Sequence, residues 1–272
     1  MRIDGSTIAL TGATSGIGLE TARILAERAD VLVLQGPEPE ADVRGLLAGL
    51  RGARADVRYV PADFTDLAAA ARAADAIADA AGAGLDALVD NAGVPGAPRR
   101  TLTDDGSERT LQVNYLAMVL LTERLAPHLR RGGRVVTVSS TTHRMAALAL
   151  EDLDLAAGYS PVQAYAQSKL AVVTWSAGLA RALAPRGVDV VSVSPGVVAT
   201  GLLHAMFGAG GADATHGAAR LVAALELAVP SGSYVDDGEL VPPSDEARDP
   251  RVQDALARET ARRLAAVAGR PR

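Results

Sequence analysis

The chain has 272 residues, a net charge of −5 and no cysteine, which excludes disulfides, thiolate metal sites and cysteine nucleophiles. Apolar residues make up 49% and charged residues 22%, enough for a sizeable core, and there is no basic stripe of the kind that nucleic acid selects. Four scattered histidines suggest no metal site, no apolar run reaches the roughly 18 residues of a membrane span, and no signal-peptide pattern opens the chain. The expectation is a soluble cytoplasmic protein.

Residues 7–10 read as a short strand running into Thr11-Gly12-Ala13-Thr14-Ser15-Gly16-Ile17-Gly18, with a helical pattern to Arg28. In that setting Gly12 permits a tight turn, Gly16 lets backbone approach a ligand, and Gly18 lets helix and strand pack closely. The helix N-terminus then offers free N–H groups to a pyrophosphate. No Lys-Ser/Thr pair follows the glycines, so a nucleoside-triphosphate loop is excluded. A second strand, 31–34, ends at Gln35-Gly36-Pro37-Glu38. An acid at this strand end would bind ribose hydroxyls and an arginine would bind a 2′-phosphate. Neither stands at the tip itself; Glu38 lies just beyond and Arg44 a helical turn further.

A helix over 41–50 and a strand over 57–60 lead to Asp63-Phe64, with Asp66 as N-cap of an alanine-rich helix to about residue 80. The strand 85–89 ends in Asp90-Asn91-Ala92-Gly93, and Asn114, the only other asparagine, falls in a helical pattern over 107–129. The strand 134–138 closes on Ser139-Ser140, an irregular segment covers 141–160, and a long helix runs over 161–183. The strand 188–193 ends in Ser194-Pro195-Gly196, a loop and helix fill 197–229, and a last strand over 232–235 precedes an amphipathic helix over 249–267. Strand and helix alternate throughout, which predicts an α/β fold: a doubly wound parallel sheet with helices on both faces, in one domain over 1–272. Ligands of such sheets bind at the carboxyl ends of the strands, where each of these motifs sits.

The helix 161–183 carries Tyr165 and Lys169, and Lys169 is the only lysine among 27 basic residues. An ammonium is a compact point charge with rotatable donors, a role a guanidinium cannot copy. Residues i and i+4 share a helix face. A cation about 4 Å from the phenol contributes about 4 kcal/mol at an effective dielectric near 20. Since about 1.4 kcal/mol moves a pKa by one unit, the pair predicts a phenol drawn from about 10 toward neutral pH, fit for general acid–base work.

Thr-Gly-x3-Gly-x-Gly, Asn-Ala-Gly, a helical asparagine, a strand ending in Ser-Ser and Tyr-x3-Lys, in this order, resemble the short-chain dehydrogenase/reductase family over roughly residues 3 to 240. Val138 to Arg144, the tail from Tyr234 to Pro250, and the 25-residue spacing from Ser140 to Tyr165 look most like its retinol-dehydrogenase-like, or WW-domain-oxidoreductase-like, branch. The resemblance implies Tyr165 as proton donor and acceptor, Lys169 as the group that tunes it and binds ribose, Ser140 on the substrate oxygen, and Asn114 holding a proton-relay water. It implies Gly12, Ser15, Gly16, Ile17 and Gly18 on the pyrophosphate and adenosine ribose, and Asp63 and Phe64 on adenine. Asn91, Ala92 and Gly93 would lie along the ribose, with Pro195, Gly196, Val198 and Thr200 around the nicotinamide. Asp90 departs from a pattern in which many members carry a second asparagine. The branch leans the cofactor to NADP, while the missing arginine after the second strand leaves NAD open.

The substrate is expected to be a small apolar alcohol or carbonyl compound held by the loops 141–160 and 197–215. Candidates are Met145, Leu148, Leu153, Tyr159, Leu202, Leu203, Met206 and Phe207, with His143 and His204 as polar accents. Gly201, Gly208, Gly210 and Gly211 make the second loop a candidate lid. A dinucleotide sensor without turnover, or an epimerase or dehydratase that regenerates its cofactor, uses the same fold and remains open. Family members often form dimers or tetramers through the helices holding Asn114 and Tyr165, a face the final helix could instead cover.

Overall fold

A computed structural model describes residues 1–198 and 211–268. Its centre is an eight-stranded sheet in the order β3-β2-β1-β4-β5-β6-β7-β8. The strands are β1 (Thr7–Leu10), β2 (Val31–Gly36), β3 (Asp56–Pro61), β4 (Leu85–Asp90), β5 (Leu129–Val138), β6 (Asp189–Ser194), β7 (Ser233–Asp236) and β8 (Glu239–Val241). The first seven are parallel and β8 pairs antiparallel with β7. The central strands are apolar and buried on both faces, as a parallel sheet covered by helices requires.

Among the described residues the helices are α1 (Gly16–Ala26), α2 (Arg44–Arg51), α3 (Leu67–Ala81), α4 (Arg109–Leu111), α5 (Ala117–Leu125), α6 (Pro161–Leu183), α7 (Ala214–Glu226), α8 (Asp245–Arg248) and α9 (Pro250–Ala268). Residues from α1, α2 and α7 share one core with one face of the sheet; α3, α5 and α6 share another on the opposite face, with Leu256 of α9 behind them. Asp66 caps α3 as expected, accepting from the Ala68 N–H at 2.8 Å.

Four local readings change. The helix expected over 107–129 is interrupted: α4 passes into a π-helical turn, Gln112–Leu116, before α5, and a 3₁₀ turn containing Pro127 ends it. Proline has no N–H for the helical ladder, so β5 begins at Leu129 rather than 134. β2 runs two residues further than expected, because Gln35 is buried and bonded rather than a loop residue. β8 appears where none was expected. It is three residues long, and the turn before it places Asp237 at φ +48° and Gly238 at φ +91°, the positive angles that suit an Asp-Gly hairpin.

Candidate active site

The switch point of the sheet lies between β1 and β4, and a cleft of about 840 Å³ opens there along the carboxyl ends of the strands. All the described residues expected to bind cofactor line it: Gly12, Ser15, Gly16, Ile17, Gly18, Asp63, Phe64, Asn91, Ala92, Gly93, Tyr165, Lys169, Pro195, Gly196 and Val198. Thr200 lies outside the described residues, as do Gly201, Leu202, Leu203, His204, Met206, Phe207, Gly208 and Gly210.

The glycine turn is close-packed. Gly12 has φ +64°, and a Cβ there would lie 2.7 Å from Ala92 Cα. A Cβ on Gly18 would overlap Gly12 O and lie 2.5 Å from Asn91 Nδ2. The hydroxyl of Ser15, the N-cap of α1, makes no capping bond. A bare glycine turn opening onto a helix N-terminus is what a dinucleotide pyrophosphate fits.

Two polar residues that the sequence did not single out, Thr11 and Gln35, hold this turn. Thr11 Oγ1 accepts from the Asn91 and Ala92 N–H groups at 3.0 Å each. Asn91 Nδ2 donates to Thr11 O at 2.9 Å and Gly12 O at 3.1 Å, so its amide is committed to the turn while the residue lines the cleft. Gln35 Oε1 accepts from Gly12 N–H at 3.2 Å and its Nε2 donates to Ala62 O at 2.8 Å, joining β1, β2 and β3. Ser168, also not singled out, acts away from this turn: its hydroxyl donates to the Tyr165 carbonyl at 2.7 Å and accepts from the Asn114 amide at 3.0 Å. A polar residue inside the apolar run Val31–Gly36 was the one available signal for Gln35.

Ser140, Tyr165 and Lys169 meet on the opposite wall. Ser140 follows β5, while Tyr165 and Lys169 face the cleft from α6. The Ser140 hydroxyl lies near enough to the Tyr165 phenol to lower its pKa. Lys169 Nζ donates to Val138 O at 2.8 Å and stands 5.7 Å from the centre of the Tyr165 ring. Ser139 turns its hydroxyl onto Lys169 O at 3.0 Å, which leaves Ser140 as the serine available to a ligand.

The electrostatics differ from the expectation. Burial pushes the Tyr165 phenol up to about 12, with the nearby Ser140 hydroxyl opposing, and burial pushes Lys169 down to about 8. Desolvation of both groups outweighs their attraction, and the ammonium is bonded to a carbonyl rather than to the phenol. The phenol is thereby a proton donor at neutral pH.

Asn114 lies in the π-helical turn, the kind of widened turn that often marks a functional site. Its side chain is buried behind the cleft wall. Oδ1 accepts from Val94 N–H at 2.7 Å, and Nδ2 donates to Val94 O and Ser168 Oγ at 3.0 Å each. The carboxamide therefore holds the loop after β4, and a Cβ on Gly93 would be 3.4 Å from Asn114 Oδ1 and 3.5 Å from Lys169 Nζ.

The apolar candidates separate. Met145 lines the cleft and is 62% exposed, with Val197 beside it at 59%. Leu148 and Leu153 belong to the core, and Tyr159 donates its hydroxyl to Ala97 O at 2.7 Å. His143 is 0% exposed and does not line the cleft, so it is no polar accent of a substrate pocket.

The family model for short chain dehydrogenase matches residues 6–208. The chain belongs to the short-chain dehydrogenase family. This short-chain dehydrogenase is therefore an NAD(P)-dependent oxidoreductase. It is 38% identical to mouse polyprenol dehydrogenase, over 97% of this chain and 85% of the relative. It is 33% identical to human retinol dehydrogenase 13, over 96% and 85%. These relatives place it in the retinol-dehydrogenase-like branch. Among solved structures it resembles an uncharacterised Mycobacterium paratuberculosis protein, with a TM-score of 0.81 at 31% identity, covering 97% of this chain and 95% of the other. A Burkholderia cenocepacia short chain dehydrogenase in complex with NADP gives a TM-score of 0.68 at 30% identity, covering 88% and 98%. Among the described residues no helix of this dehydrogenase is long and apolar enough to cross a membrane.

Proposed function

We propose that residues 1–272 form a single domain that interconverts an apolar alcohol and its aldehyde or ketone. The observation that carries this reading is the meeting of Ser140, Tyr165 and Lys169 on one wall of a cleft whose other wall is the glycine turn. The nicotinamide cofactor supplies or accepts the hydride when bound. Tyr165 gives its proton to the carbonyl oxygen, so no free alkoxide builds up. Ser140 hydrogen-bonds that oxygen and orients it. Lys169 binds ribose hydroxyls and places positive charge behind the phenol. Its folded pKa of about 8 leaves it largely charged at neutral pH. Asn114 holds the 93–94 loop in front of Lys169, and it is assigned the water of a proton relay from Lys169.

The exposed Met145 and Val197 give the cleft an apolar rim, in keeping with the alcohols named for the relatives, a polyprenol and retinol. The cofactor leans to NADP, as in the Burkholderia relative. Glu38 works against a 2′-phosphate. It lines the cleft just past β2, with one carboxylate oxygen, Oε2, buried and unbonded, and its carbonyl accepts from the Tyr59 hydroxyl at 2.8 Å. Glu38→Gln removes that charge and is expected to raise NADPH affinity relative to NADH about tenfold, about 1.4 kcal/mol, in fluorescence titrations with each nucleotide. An unchanged ratio removes Glu38 from cofactor choice.

The deciding experiment is a panel of retinal, farnesal, octanal and a cyclic ketone with NADPH and NADH, repeated with Tyr165→Phe. The wild type is expected to consume cofactor, and Tyr165→Phe to lose at least about 100-fold in kcat while still binding NADPH. A fully active Tyr165→Phe removes the phenol from the mechanism. Nucleotide binding without turnover of any compound favours a sensor.

A further inference from the structure

The 3₁₀ turn after Ser140, Thr141–Met145, is bound to a part of the chain a hundred residues away, and the bond runs through His143. Its Nδ1 lies 2.7 Å from Ser140 O, and its Nε2 lies 3.2 Å from the backbone N of Ser244. A backbone N–H can only donate, so Nε2 is the acceptor and Nδ1 carries the proton that goes to Ser140 O. The ring is fully buried, with the Tyr234 ring edge-on at 4.9 Å. Burial lowers the imidazole pKa, which keeps it in the neutral form that this pair of bonds needs. The neighbours reinforce the tie: Arg144 donates to Pro242 O, and Glu246 accepts from Leu148 N–H at 2.8 Å.

We propose that His143 is a positioning residue for the reaction: it fixes the backbone of Ser140 so that the serine hydroxyl meets Tyr165, with the 242–246 segment as its anchor. The proposal rests on Ser140 acting as described above. It adds that the serine is held in place from β7 and α8 as well as by the strand that precedes it. Within the turn, Ser140 Oγ otherwise meets only the Thr142 N–H at 3.3 Å, a weak restraint for a hydroxyl that must point at one oxygen.

Three variants test it. His143→Leu fills the space and removes both bonds. His143→Asn keeps a donor near the Nδ1 position. Ser244→Pro removes the N–H that bonds Nε2 together with a buried hydroxyl that has no hydrogen-bond partner among the described residues, at a residue whose φ of −58° suits proline. With the compound of the panel that the wild type turns over fastest, His143→Leu is expected to lose about 30-fold in kcat with KM and NADPH affinity within threefold. His143→Asn should recover most of that loss, and Ser244→Pro should lose about threefold. A purely structural role would lower melting temperature without separating kcat from KM and without rescue by asparagine. Crystal structures of the His143→Leu and Ser244→Pro variants supply a readout that needs no turnover: the Ser140 hydroxyl should leave Tyr165. The proposal is overturned if kcat stays within twofold in His143→Leu, or if the Ser140 hydroxyl keeps its wild-type position relative to the Tyr165 phenol there. If His143→Leu does not fold, Ser244→Pro decides by the same two readouts. Ser140→Ala separates the two claims: if it is fully active, the role of Ser140 fails; if it is inactive while His143→Leu is not, only the role of His143 fails.

Discussion

Asp90 shows at the level of one side chain how burial sets chemistry. It ends β4, is fully enclosed, and accepts a hydrogen bond from Thr122 Oγ1 at 2.8 Å. Burial pushes its carboxyl up to about 7, well above the unfolded value of about 3.9. Between those values the folded chain binds more protons than the unfolded one, so stability falls as pH rises through about 4 to 7. Above pH 7 the buried charge costs a few kcal/mol, at about 1.4 kcal/mol per unit. Asp90→Asn keeps the acceptor for Thr122 and removes the charge. It is expected to stabilise by about 2–4 kcal/mol at pH 8 and by much less at pH 4, measured by urea unfolding at both. Equal stabilisation at the two pH values would show that the carboxyl is not the titrating group. Lys169 was conspicuous in the sequence because no other lysine exists. The states of Asp90, His143 and Tyr165 were not, since burial depends on partners such as Thr122 and Ser244 that only the fold brings near.

Among the elements, the β1-turn-α1 unit was legible almost to the residue, and for a local reason. Its glycines are required by contacts within the unit and with the end of β4. Gly18→Ala tests this directly. The added methyl would collide with Gly12 O, a backbone atom that cannot move without opening the turn. The variant is expected to lose about 2–4 kcal/mol of stability and to bind NADPH at least tenfold more weakly, by thermal melts and fluorescence titration. Native stability and affinity would mean that the turn has slack the geometry does not show. The elements that were misread lack such local codes. The π-helical turn at Gln112–Leu116 has ordinary helical residues, and is held by Asn114 and Gln112 bonding to the loops after β4 and β3. β8 is too short to show an alternating pattern, although Asp237-Gly238 was a readable turn signal.

For the molecule as a whole, alternation of strand and helix predicted the parallel sheet, but the sequence could not say which surface α9 would cover. It packs on α6 and reaches the π-helical turn. Tyr115, next to Asn114, is completely buried, and its hydroxyl is bonded to Thr260 Oγ1 at 2.7 Å. Leu256 is also fully buried, and Arg263 of α9 pairs with Asp154 at 2.7 Å. These are the helices through which the family resemblance led us to expect dimers or tetramers, and here the chain's own last helix lies over them. The expected outcome is a mass of one chain, 27.8 kDa, by light scattering. Leu256→Ala should destabilise by about 2–5 kcal/mol, the range for a buried leucine whose cavity does not collapse. A dimer of unaltered mass in both the wild type and Leu256→Ala would place the contact on another face. A monomeric wild type that dimerises when α9 is loosened would show that this helix stands in for a second subunit beside Asn114.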